Sequence, residues 1–249
     1  MTSVFPLPCV LFALERERIF FHETYRIDET IDVCPCPTFL CSNGPTRVLV
    51  IESGVGAERT RRALDWLLNR PTLEGGVLEP SILLFAGFAG ALQPAVHVGD
   101  VLLAREVLDT TGRVWPASAL VKAVPGAQAG RLLTASRFIG DPAEKLALGA
   151  KHDALAVDME SATFAQRCTE RGVPWACLRV ISDDVSTAFT TEVAGLVEDG
   201  QVALGRVMWL LLRKPWMLPK LLRLERQTRR AARRLADAVI QFLTCSSAG

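Results

Sequence analysis

The chain has 249 residues, and 28 Lys plus Arg offset 27 Asp plus Glu to leave a formal net charge of +1, so nothing in its overall charge favours a nucleic-acid partner. Apolar residues make up 49% and mean hydropathy is +0.24, which suits an α/β core with parallel strands buried on both faces. No uncharged run reaches the ~20 residues of a membrane-spanning helix, and no Pro/Gly/Ser-rich linker divides the chain, so one domain over residues 1–249 is expected.

Val4 to Leu14 is apolar but lacks a preceding basic segment, and charges begin at Glu15. It reads as a first strand, strongest over Val10–Leu14, and not as a secretory signal. Arg47–Ile51 is a β-branched strand followed by the glycine turn Ser53-Gly54-Val55-Gly56, and Ala57 to Leu68 carries Ala63, Leu64, Leu67 and Leu68 at helical spacing. Ser81–Ala86 is a strand running into a second turn, Gly87-Phe88-Ala89-Gly90. Asp100–Leu108 and Arg131–Ala135 are strand-like, and Pro142–Ala150 is a helix. Two further strands end in acids: Ala156-Val157-Asp158-Met159-Glu160-Ser161 and Arg179-Val180-Ile181-Ser182-Asp183. Alternation of this kind predicts a three-layer α/β fold, a mixed and mostly parallel twisted sheet flanked by helices.

Seven cysteines (Cys9, Cys34, Cys36, Cys41, Cys168, Cys177, Cys245) are an odd number lying mostly in apolar runs, as expected of free thiols in a cytoplasmic protein. Cys34, Cys36 and Cys41 lack the spacing and the second ligand pair of a zinc ribbon, so no metal site is expected. For His22, His97 and His152 structural or surface roles are expected.

The acids carry the chemistry. In open α/β sheets small ligands bind beyond the carboxyl ends of the strands, and two carboxylates delivered there can run acid/base chemistry on a polar substrate. Each acid also has a plainer reading: Glu160 as an acid at a helix N-terminus, and Asp183 and Asp184 as helix caps. Asp158 is expected to point away from the site, paired with a base or capping a turn.

Several segments, in order, resemble the nucleoside phosphorylase/nucleosidase superfamily, especially 5′-methylthioadenosine/S-adenosylhomocysteine nucleosidases. They are Ala13-Leu14-Glu15-Arg16-Glu17, Ser53-Gly54-Val55-Gly56, Gly87-Phe88-Ala89-Gly90 with Val98-Gly99-Asp100, Ser136-Arg137-Phe138-Ile139, Val157-Asp158-Met159-Glu160-Ser161 and Arg179-Val180-Ile181-Ser182-Asp183. The resemblance covers roughly residues 8 to 190 and implies release of adenine from a 5′-substituted adenosine by an enzyme without a cofactor. It implies that Asp183 is the general acid at purine N7, oriented by Ser182, with a carboxyl kept protonated by burial. Glu160 would grip the ribose hydroxyls and Met159 would pack on the sugar. Phe138 and Ile139 would hold the adenine, Arg179 would support a carboxylate, and Phe88, Ala89 and Gly90 would lie against the substrate.

Glu17 separates two chemistries. At its matching position the nucleosidases carry the acid that activates water, whereas phosphorylases surround a phosphate co-substrate with basic and hydroxyl groups. A carboxylate there, and Phe88 where both branches often place a serine, favour hydrolysis; the plainer reading of Glu17 is one charge in a solvated Glu15-Arg16-Glu17-Arg18 run. A homodimer is implied by the resemblance alone.

Ten basic residues and one acid, Glu225, fall between Arg206 and Arg234, interleaved with Trp209, Trp216 and many leucines. Pro215 and Pro219 are expected to break residues 206–243 into two basic amphipathic helices. These either cover the sheet or touch an anionic membrane surface through 206–234. With Ala143–Leu148, this tail resembles hopanoid-associated phosphorylases, which would make adenosylhopane the substrate; futalosine-type hydrolysis, a non-catalytic nucleoside-binding protein and a membrane-associated interaction protein are further alternatives.

Overall fold

The computed structural model describes residues 4–73, 76–119, 123–187, 197–198, 201–202 and 218–247. The strands are β1 (Val4–Phe12), β2 (Arg26–Thr30), β3 (Thr38–Asn43), β4 (Thr46–Glu52), β5 (Thr72–Leu73), β6 (Gly76–Ala91), β7 (Val101–Asp109), β8 (Val114–Pro116), β9 (Ala127–Thr134), β10 (Ala156–Asp158) and β11 (Trp175–Asp183), with a small hairpin of β12 (Val197–Glu198) and β13 (Gln201–Val202). The helices are α1 (Glu15–Arg18), α2 (Ala57–Leu68), α3 (Pro142–His152), α4 (Ser161–Glu170) and α5 (Leu218–Ser247).

One mixed sheet runs in the order β10-β9-β7-β11-β6-β1-β4-β3-β2. Parallel pairing of β11, β6, β1 and β4 forms its middle, while β2 and β3 add an antiparallel edge. The tip of β10 also pairs antiparallel with the end of β6, so that β10, β9, β7, β11 and β6 close on themselves. Side chains alternate across the sheet with the period of two that strands impose. Leu49, Leu83, Phe85 and Cys177 face a core shared with α2 and α4. Val48, Val50, Leu84, Ala86, Leu178 and Val180 face Leu235, Val239 and Phe242 of α5. These are the expected three layers.

One expectation needs correction. Gly87–Gly90 is strand, not turn: β6 continues through Ala91 because β11 pairs with it as far as Gly90 and β10 pairs with Gly90 and Ala91. In the tail, α5 starts at Leu218 with Pro219 in its first turn, where a missing N–H leaves no bond unmade. Residues 206–217, including Pro215, lie outside the described residues. The apolar face of α5 from Ala231 to Leu243 packs on the sheet, and the guanidinium groups of Arg229 and Arg233 lie 5.9 and 4.8 Å from the Phe20 ring centre. Among the described residues no helix is long and apolar enough to cross a membrane, and none of the seven cysteines forms a disulfide.

Candidate active site

Four strand ends deliver the site. β1 stops at Phe12 and turns into the four-residue α1, and the Glu17 side chain folds back to accept from the N–H groups of Ala13 and Leu14, both at 2.9 Å. Its other oxygen accepts from Phe88 N–H of β6 at 3.0 Å. Glu17 is therefore 4% exposed, not solvated on a helix surface, and burial raises its pKa against the pull of those N–H donors and of Arg179.

The Ser53–Gly56 turn ends β4 with Gly54 at φ 80° and Gly56 at φ 103°, conformations that L side chains rarely adopt. Gly56 N–H then donates to Glu160 Oε1 at 2.8 Å. Glu160 caps α4 and is 8% exposed. Burial first, and the charge of Asp158 second, push its pKa up to about 7.

Asp158 lies beneath this surface. It receives Arg179 Nη2 at 2.8 Å and Nε at 3.1 Å, Ser161 Oγ at 2.6 Å and Thr134 Oγ1 at 2.8 Å. The expected roles of pairing with a base and capping a turn are thus both filled. Arg179, 2% exposed, also donates to Phe85 O at 3.0 Å, Leu178 O at 3.3 Å and Ser161 Oγ at 2.8 Å, so all five guanidinium hydrogens have an acceptor.

Asp183 ends β11 where the pairing register with β6 shifts, placing it opposite Gly90. Ser182 Oγ donates to its Oδ1 at 2.7 Å, and the ammonium of Lys145 donates to its Oδ2. Lys145 is a residue that the sequence reading missed. Its signal is spacing: Lys145, Gly149 and His152 occupy the buried stripe of α3 at i, i+4 and i+7.

Of the other expected residues, Ala89 is buried and Met159 half-buried. The half-buried Phe88 leans on the α5 side of the core. Ile139 is buried among Leu92, Leu133 and Val157, so its side chain serves packing, whereas Phe138 is 47% exposed. A cavity of about 650 Å³ adjoins the Glu17 side of the site, lined among others by Ala13, Leu14, Ser53 and Gly54; Glu17, Glu160 and Asp183 are not among its lining residues.

The glycines of β6 provide close approach. A Cβ on Gly87 would stand 2.8 Å from Glu17 Oε1 and 3.2 Å from Arg179 Nη1, and one on Gly90 would stand 3.0 Å from Asp183 Oδ2. Gly87→Ala is expected to drive Glu17 away from Phe88, destabilising the fold by about 2 kcal/mol and lowering kcat about 100-fold. Urea unfolding and steady-state kinetics check both effects; wild-type values for the pair would show that the strand has room to spare.

Glu160 gives a pH-dependent effect. Its pKa in the folded chain, about 7, exceeds the ordinary glutamate value of 4.5, so between these values the unfolded chain releases a proton that the folded chain keeps, and stability falls as pH rises. The penalty is absent below about 4.5, complete above about 7, and on the order of 3 kcal/mol. Glu160→Gln retains an acceptor for Gly56 N–H and is expected to remove this loss, seen as a gain in unfolding free energy at pH 8 and little gain at pH 4.5. Equal gains at both values would reject the assignment.

Buried carboxylates thus gather at the strand ends of an α/β sheet. Residues 36–212 match the model of the Phosphorylase superfamily, and the chain is an enzyme belonging to that family. It is 24% identical over 201 residues to a 5′-methylthioadenosine/S-adenosylhomocysteine nucleosidase of Anoxybacillus flavithermus, covering 70% of this chain and 84% of the relative. It is 26% identical to the protein of the same name from Geobacillus thermodenitrificans, covering 70% and 82%. The fold is similar to that of the Helicobacter pylori nucleosidase of that name, solved in complex with a substituted pyrrolidin-3-ol (TM-score 0.69, 18% identity, 99% of each chain covered). It is also similar to futalosine hydrolase of the same organism (TM-score 0.68, 18% identity, 96% and 97% covered).

Proposed function

We propose that this enzyme hydrolyses the N-glycosidic bond of a 5′-substituted adenosine and releases adenine. The observation that carries the reading is Glu17, a buried carboxylate whose basicity burial raises, placed at the strand ends with Glu160 and Arg179. Water attacks C1′ and gives its proton to Glu17, while Asp183 passes a proton to N7 so that the C1′–N9 electron pair leaves with neutral adenine. Glu160 holds the ribose hydroxyls near the positive charge that develops on the sugar.

Water is favoured over phosphate at Glu17 because the donors in contact with it are already engaged. Phe88 N–H is bonded to Glu17 and Arg179 is saturated by Asp158, Ser161 and two carbonyls, so a phosphate dianion there would meet a carboxylate; Arg16, Arg59 and Arg62 line the adjoining cavity, which is why the assay is run with and without phosphate. The nucleosidases among the relatives support the same reading.

The test is adenine release from methylthioadenosine, S-adenosylhomocysteine, futalosine and adenosylhopane, each with and without phosphate. A free sugar product in both conditions is expected, and the ranking of kcat/KM identifies the 5′ substituent. Strict phosphate dependence with a sugar 1-phosphate product would reverse the choice of nucleophile.

A further inference from the structure

Lys145 is wholly buried, a costly place for an ammonium unless opposite charge and acceptors surround it. Its described partners include Asp183 Oδ2 and the carbonyl of Asp184, 3.1 Å from Nζ. The remaining Asp183 oxygen, Oδ1, accepts from Ser182 Oγ, which has a second acceptor in Ala89 O at 3.3 Å. A carboxylate held in this way has no proton of its own to give. The pair, however, holds one between them.

Moving a proton from Nζ to Oδ2 along the hydrogen bond they already make converts ammonium and carboxylate into amine and carboxylic acid with no change in total charge. Excluding water favours that neutral form, since an ion pair loses more solvation than two neutral groups do. Among the described residues, other charged groups are engaged elsewhere. Asp158 is paired with Arg179, Glu144 with Arg137 and Arg131 with Glu106, and the Asp184 carboxylate accepts from Val98 N–H. Lys151 and His152 lie at the far end of α3, and Glu160 is held by Gly56.

We propose that Lys145 is the positioning residue that charges Asp183 with the leaving-group proton. The inference rests on the reading of Asp183 as the acid at N7. As a purine fills the site, an Nζ–H bond breaks and an Oδ2–H bond forms. The carboxyl then gives its proton to N7 while the C1′–N9 pair goes to the base, leaving a lysine amine still bonded to Asp184 O. Glu17 carries the proton taken from water, so total charge is unchanged, and exchange with solvent resets both groups.

The experiment is the pH dependence of adenine release from methylthioadenosine by wild type, Lys145→Met, Lys145→Arg and Asp183→Asn, with folding followed by thermal unfolding. In Lys145→Met the carboxyl alone holds the proton, so the alkaline limb of kcat/KM is expected to move at least about one pH unit towards acid. In Lys145→Arg the guanidinium keeps its protons, and kcat is expected to fall about 100-fold or more at every pH with KM nearly unchanged. An unmoved alkaline limb in folded Lys145→Met, or wild-type kcat in Lys145→Arg, overturns the proposal while leaving the hydrolase reading intact. Should neither variant fold, the wild-type limb decides: one alkaline of neutrality is expected of a proton shared with lysine, and one on the acid side overturns the proposal. Full adenine release by Asp183→Asn overturns the reading of Asp183 as the acid at N7, and the proposal with it, whereas no release by the wild type overturns the hydrolase reading for this substrate.

Discussion

Glu17→Gln is expected to lower kcat for adenine release about 1,000-fold while changing KM less than about threefold. The amide keeps an acceptor oxygen for the N–H groups of Ala13, Leu14 or Phe88, which the carboxylate now shares among its two oxygens, so the β1 turn retains part of its anchoring. What it loses is the capacity to take a proton from water. Burial raises the Glu17 pKa, and a stronger base is a better proton acceptor as long as it stays ionised at the working pH. The acidic limb of the wild-type kcat/KM profile should therefore stand above the ordinary glutamate range and should disappear in the variant. Steady-state kinetics between pH 4 and 9 check both points. A variant with wild-type kcat would remove Glu17 from the chemistry and leave it as a clasp between β1 and β6.

How much of this was legible beforehand depended on what each segment buries. The apolar runs at Arg47–Ile51 and Arg179–Asp183 are strands flanked on both sides by others, and their composition announces it. β2 gave no such signal: Arg26, Asp28 and Glu29 sit on an edge strand exposed along its whole length, with no apolar alternation to read. Gly87 and Gly90 were misread as a turn because glycine serves both loose backbone and close packing, and only the Glu17 and Asp183 carboxylates pressing on β6 distinguish the two. Glu160 and Asp183 stood out as acids at strand ends, whereas Glu17 was marked only by the family resemblance. Lys145 did not, because a charged residue within a helix is ordinarily solvated; its burial depends on Asp183, thirty-eight residues further along the chain.

Arg179→Met is expected to cost about 3–5 kcal/mol of stability, because it strands the Asp158 carboxylate in the core with its hydroxyl and amide partners but no cation. Asp158 is as buried as its partner, with side-chain exposures of 3% and 2%, and screening by solvent is small at such depth. The companion variant Asp158→Asn/Arg179→Met removes both charges. It should recover most of the loss, since a buried ion pair adds little net stability over neutral groups that fill the same space, and a double-mutant cycle in urea measures the coupling directly. Recovery of stability should not restore the pH profile. Arg179 holds down the pKa of Glu17, so in the double variant Glu17 loses a stabilising positive charge and the acidic limb of kcat/KM should move to higher pH, whereas Glu160 also loses the Asp158 charge, which raises its pKa more than Arg179 lowers it. A refolded double variant with an unaltered acidic limb would confine Arg179 to packing. A shifted limb would show that the ion pair beneath the site sets the charge of the acids above it.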